Sequence, residues 1–161
     1  MLKKEEKIWI ALRIILGLIL LWAFFDKLFG LGFATSVDKS WLLGNSPTFG
    51  FLINTKGFFS DLFHGLAGIV LVDWLFMLGI LLIGICMVFG LALRLTGYLG
   101  AILMFLMWLA SIPAANNPLL DDHVIYGLIF IGIAIVKPYY GFGFGKSWYK
   151  CNMVKKYKLL W

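Results

Sequence analysis

An imidazole directly beside two carboxylates, Asp121-Asp122-His123, is the residue set in this chain best suited to acid–base chemistry. A carboxylate can hold the ring while the ring exchanges a proton with a bound molecule. The other polar residues that can join it are Asn116 and Asn117 just upstream, Asp26-Lys27, His64 and Asp73. Three readings of this set compete. Aspartates at the start of a helix are favoured as caps and by the helix dipole, which suits Asp121, Asp122 and Asp73. A metal site from His64, His123 and the carboxylates matches no established ligand spacing, so no metal is expected. A pocket for a quinone headgroup or a small anion would take protons through His123 with Asp121 or Asp122, and would attract the anion with Lys27 and either Lys39 or Lys56.

Other chemistries fit the spacing poorly. Cys86 and Cys151 are far apart and neither has a CxxC partner, which argues against a thiol relay. With only His64 and His123 in the chain, no histidine pair is expected at membrane depth to ligate haem. The glycine-rich run 141–147 ends in Gly145-Lys146-Ser147, yet Tyr140 stands where a phosphate loop needs glycine. A flexible turn is the expectation there.

The elements that must position these residues are membrane spans. Hydrophobic residues make up 62% of the chain and charged ones 14%, against roughly 25% charged in an average soluble domain. Two almost uncharged runs, 74–93 and 95–120, are separated by Arg94. A run of roughly 20 apolar residues crosses a bilayer as a helix with its backbone satisfied internally. The expectation is an all-α single membrane domain over 1–161, a four-transmembrane-helix bundle with spans at about 8–25, 74–93, 95–113 and 121–137. The last span reaches crossing length if Lys137 snorkels and Tyr139 and Tyr140 join an aromatic belt. Residues 57–67 read as an outer amphipathic segment between helices 1 and 2, with Phe58, Phe59, Leu62, Phe63 and Leu66 toward lipid or bundle.

Charge chooses the orientation. Four spans put a formal +9 with the termini and Arg94 on one side and a formal −3 on the other, which together recover the net +6. A fifth span would carry the lysine-rich tail 138–161 outside, against the positive-inside rule. Both termini are therefore expected in the cytoplasm, with the tail resting on anionic headgroups. The basic balance encodes orientation and carries no expectation of nucleic-acid binding. No small-residue cleavage site follows the first apolar run, so that span is expected to stay in the mature protein. Arg13, about 7 Å inside the first span at 1.5 Å per residue, is expected to snorkel to the headgroups. Gly17, Gly79, Gly84, Gly90, Gly97, Gly100, Ala101, Gly127 and Gly132 are read as small packing residues, and Met77, Met87, Met104 and Met107 as filler.

Segments 22–28 (WAFFDKL), 44–52 (GNSPTFGFL), 63–67 (FHGLA), 73–77 (DWLFM), 116–118 (NNP) and 121–126 (DDHVIY) together resemble the DoxX family, in particular its DoxD-like members. The resemblance runs from about residue 8 to the C-terminus. Gly44-Asn45-Ser46-Pro47 stands where relatives often read Gly-Gly-Ser-Pro, and Lys137-Pro138-Tyr139-Tyr140 where many carry an arginine. The resemblance implies a thiosulfate:quinone oxidoreductase large subunit, oxidising thiosulfate to tetrathionate while reducing a membrane quinone beside a small partner subunit. On this reading the catalytic residues are Asp121, Asp122 and His123. Trp22, Asp26, Lys27, Trp41, His64, Asp73, Trp74, Asn116 and Asn117 would bind quinone or substrate. The expected setting is a prokaryotic plasma membrane, with membrane lipids and a second copy of the chain as further partners. The alternative is a non-catalytic membrane protein that binds lipid or scaffolds a soluble redox partner.

Overall fold

The computed structural model describes residues 3–113, 117–136 and 143–160. Among them the chain is all-helical, without a strand. The helices are α1 (Lys4–Phe29), α2 (Phe49–Ile53), α3 (Ser60–Leu66), α4 (Val70–Phe89), α5 (Leu93–Ser111), α6 (Asp122–Val136), α7 (Gly145–Lys150) and α8 (Asn152–Lys156), with short 3-10 turns at Val37–Lys39, Trp41–Leu43 and Lys158–Leu160. Three of them, α1, α4 and α5, are long and apolar enough to cross a membrane. Helix α6 is equally apolar but has 15 residues, roughly 22 Å at 1.5 Å per residue. Lys137, Tyr139 and Tyr140, expected to extend that span, lie outside the described residues.

Two antiparallel pairs, α1 with α4 and α5 with α6, build the body. Each closes through glycine, because only a missing Cβ lets two helix backbones approach this far. A Cβ at Gly17 would stand 2.9 Å from the Gly84 carbonyl oxygen, and one at Gly97 2.7 Å from that of Phe130. Gly100 lies against the Phe130 ring in the same way. Gly79, expected to pack, faces nothing within 4 Å. The pairs meet in one core of Leu16, Leu20, Met77, Ile80, Met87, Met104, Phe130 and Ile133, where the buried methionines act as filler.

Several boundaries move. The break between the second and third helices falls at Gly90–Ala92, four residues before the expected cation. Gly90 adopts φ 77°, and both its N–H and that of Leu91 bond the Cys86 carbonyl, so the turn is made by a glycine cap and Arg94 falls in the first turn of α5. Helix α4 begins at Val70, with Ile69 rather than Asp73 as its cap residue. The outer connection is more structured than one amphipathic segment: α2 and α3 pack Leu52 and Phe63 into a satellite core with Ala110 of α5, while Phe58 and Leu62 stay exposed. Of the run 141–147, expected as a flexible turn, residues 145–147 open α7, and 141 and 142 lie outside the described residues.

Arg13 does not snorkel. It is fully buried, on the α1 stripe Ile10, Arg13, Gly17, Leu20, Phe24. Residues at this 3-and-4 spacing share one helix face, and that face is turned to the bundle rather than to lipid.

Candidate functional site

One end of the body collects the C-terminus of α1, the N-terminus of α4 and the connection between α5 and α6; the six aspartates gather here, while Glu5 and Glu6 lie in the first turn of α1 at the other end. The lysine-rich ends of the chain lie at the other. On the α1–α4 side of the acidic end, two buried carboxylates organise the loop of residues 30–69. Asp26 accepts bonds from the Phe33 and Ala34 N–H groups at 3.2 and 3.0 Å. Asp73 accepts from Ser46 Oγ at 2.8 Å and from both the backbone N–H and the hydroxyl of Thr48. Anionic acceptors make the strongest hydrogen bonds to such donors, so each aspartate ties a loop to a helix end. The Asn45 side chain bonds the Asp38 and Ser40 carbonyls. The Ser36 hydroxyl, as a donor, holds the exposed Asp38 carboxyl below the usual carboxylate range.

Aromatic rings pave this side. Trp41 meets Trp74 edge-on at 4.7 Å and Trp22 meets Phe33 at 5.0 Å. Lys27 stands 6.0 Å from the Phe76 ring centre. His64 donates Nε2–H to the Thr55 carbonyl at 3.0 Å, which commits that nitrogen to the loop. The residues assigned to substrate on this side thus have structural partners of their own.

The α5–α6 side differs. Asp121 precedes the first residue of α6, and its two carboxylate oxygens do separate things. Oδ1 accepts the His123 backbone N–H at 3.0 Å, as a helix cap does, while Oδ2 lies 2.7 Å from Nδ1 of the His123 ring. A carboxylate can only accept, so Nδ1 carries the hydrogen and Nε2 of the neutral ring keeps a lone pair. Asp122, the other expected catalytic aspartate, is exposed.

His123 stands in the wall of a groove of about 210 Å³ between α5 and α6. Met104, Phe105 and Trp108 form one wall and Val124, Leu128 and Ile131 the other; the small residues Ala101 and Gly127 leave the space. The nearest atom to a Cβ built at Gly127 is Met104 Cβ at 3.6 Å. Asn117 shapes the lip: its Oδ1 accepts from the Leu119 and Leu120 N–H groups, and Trp108 Nε1 donates to the Leu119 carbonyl at 2.9 Å. Asn116 lies outside the described residues. Trp22, Trp41 and Trp74 do not line this groove; Trp108 and Phe105, which the sequence reading left out, do. Their only signal in the sequence is the helical spacing Ala101, Met104, Phe105, Trp108.

Comparison with family models, with curated proteins and with solved structures returned no match.

Proposed function

We propose that this chain is a membrane subunit that takes a quinone into the α5–α6 groove and couples it to oxidation of a small sulfur compound such as thiosulfate, the activity its DoxX-like motifs imply. The single observation that carries the reading is the His123–Asp121 pair in the wall of an apolar groove. A groove of about 210 Å³ suits one substituted ring with its chain trailing into lipid, and is small for a nucleotide cofactor. Phe105 and Trp108 supply flat apolar surface for the ring. Asp121 fixes the ring of His123, so that Nε2 is the nitrogen able to take up or return a proton. A bound quinone would supply the acceptor for the two electrons released when two thiosulfates join as tetrathionate. Lys27, Lys39 and Lys56 at the same end favour the approach of the sulfur anion.

The bundle crosses the membrane four times on this reading, with α6 as the fourth span. Its outward residues Ile125, Leu128 and Ile135 are more than half exposed, as are Leu71, Leu75 and Leu82 on α4, and both sets need lipid to cover them. The charge split favours both termini in the cytoplasm, and the DoxX-like motifs favour a prokaryotic plasma membrane.

Purification in mild detergent, extraction and mass spectrometry test the reading. Wild-type protein is expected to retain quinone, and Gly127→Leu, which fills the groove, is expected to lose it while staying folded. Retention of phospholipid without quinone would overturn the reading in favour of a lipid-binding protein. Equal quinone in wild type and Gly127→Leu would remove the groove as the site.

A further inference from the structure

The C-terminal segment is built as a strap across the basic end of the bundle. The Phe144 N–H donates to the carbonyl of Phe89, the last residue of α4, at 3.0 Å, and the two rings lie 5.7 Å apart. Trp148 Nε1 donates to the Leu160 carbonyl at 2.9 Å, closing α7 and α8 into a compact unit around the buried Val154. On the membrane-spanning reading proposed above, a strap fastened to the end of α4 would sit at the depth where hydrocarbon gives way to headgroups.

Its surface chemistry is of two kinds. Residues 143–160 contain five lysines and no acidic residue. Lys146, Lys150, Lys155 and Lys156 are exposed. Between them Phe144, Met153 and Tyr157 are 61%, 64% and 54% exposed. Water alone covers such apolar groups poorly, and an acidic protein surface would match only the lysines. A leaflet of anionic lipid matches both, taking the rings and thioether into the acyl boundary and the ammonium groups onto phosphate. Lys3, Lys4 and Lys7 at the start of α1 and Arg94 in the first turn of α5 extend the cationic surface at this end.

We propose that the α7–α8 strap is a docking surface for anionic phospholipid headgroups, holding the cationic end of the bundle against a negatively charged leaflet. The contribution of each lysine is roughly fivefold in partition toward anionic lipid and falls with salt.

Cys151 offers a natural probe, since it is exposed on the strap while Cys86 is partly buried in α4. Full-length Cys86→Ser protein labelled at Cys151 with an environment-sensitive dye is reconstituted into phosphatidylcholine alone or into a phosphatidylcholine–phosphatidylglycerol mixture. Quenching by spin-labelled lipid headgroups should be at least several-fold stronger in the anionic mixture and should weaken at high salt. Replacing Lys146, Lys150, Lys155 and Lys156 with Gln should abolish that difference. Equal quenching in the two lipids, or no effect of the four Gln substitutions, would overturn the proposal. So would a probe that stays in water until an acidic soluble protein is added.

Discussion

The two helix pairs share a closing device but not the fate of their polar groups. Both pairs approach through glycines, Gly17 of α1 against Gly84 of α4, and Gly97 and Gly100 of α5 against Phe130 of α6. In the α1–α4 pair the buried aspartates give their oxygens to hydrogen-bond donors of the connecting loop. In the α5–α6 pair the carboxylate of Asp121 spends one oxygen on the backbone and the other on an imidazole in the wall of a groove. A polar group whose partners are all internal holds a fold together. One that leaves an imidazole nitrogen beside an apolar space can meet a ligand.

The largest expected effect attacks what the pairs share. Gly97→Leu places a side chain where even a Cβ would meet the Phe130 carbonyl at 2.7 Å and Ala134 Cβ at 2.8 Å. Backbone cannot yield as a side chain tip can, so α5 and α6 must separate, at a cost of about 3 kcal/mol or more. Thermal unfolding in detergent should show a large loss of stability or no folded protein. Gly79→Leu, facing nothing within 4 Å, should melt like wild type; equal damage from both would mean that the pairs do not depend on close approach.

A second effect separates the pairs. Asp73→Ala strands the buried Thr48 donors and Ser46 Oγ, which should cost on the order of 3 kcal/mol of stability. Asp73→Asn should be milder, because all three donors converge on Oδ1, which an amide oxygen can replace. Neither change touches the α5–α6 groove, so quinone retained by the folded fraction should be unchanged. Loss of quinone in proportion to nothing but the Asp73 substitution would show that the α1–α4 end belongs to the site.

The same contrast explains what was legible in the sequence. Apolar runs announce membrane-length helices because length and composition alone decide the matter, so α1, α4 and α5 were readable to within a few residues. The inward position of Arg13 was also readable from its 3-and-4 spacing with Ile10 and Gly17, but a charge near a helix end invites a snorkelling reading that ignores the face. Within the loop of residues 30–69 only the apolar face of 57–67, where α3 forms and buries Phe63, was legible. The shape of the rest depends on bonds from Phe33, Ala34, Ser46 and Thr48 to distant aspartates, and local propensity carries no trace of them. The carboxylate–imidazole pair was visible because its members are neighbours in the chain. The groove beside it was not, since it arises where two helices distant in sequence come together, Ala101 on α5 and Gly127 on α6 both lining it.

The smallest effects on stability make the sharpest test of the α5–α6 side. Asp122 is exposed, and no hydrogen bond to its side chain occurs among the described residues, so Asp122→Asn should cost at most about 0.3 to 1 kcal/mol through the helix dipole and leave quinone content and turnover unchanged. Asp121→Asn should be almost as mild in stability, because the amide oxygen can still accept the His123 N–H as a cap. Its chemistry should differ. With Oδ1 used by the cap, the amide nitrogen faces Nδ1 and donates to it, which moves the ring hydrogen to Nε2 and removes the lone pair that the wild-type neutral ring keeps. Nitrogen-15 chemical shifts of the labelled His123 ring should report that exchange of tautomers directly. Turnover with a soluble quinone should fall by roughly 10²-fold, the scale of a lost acid–base group, because Nε2 can no longer take up the proton it passes to the reduced quinone, and His123→Ala should fall no further when Asp121→Asn is added, since the two act as one unit. An Asp121→Asn protein with the shifted tautomer and wild-type turnover would leave Asp121 as a helix cap and make the α5–α6 end structural, like its counterpart on α1 and α4.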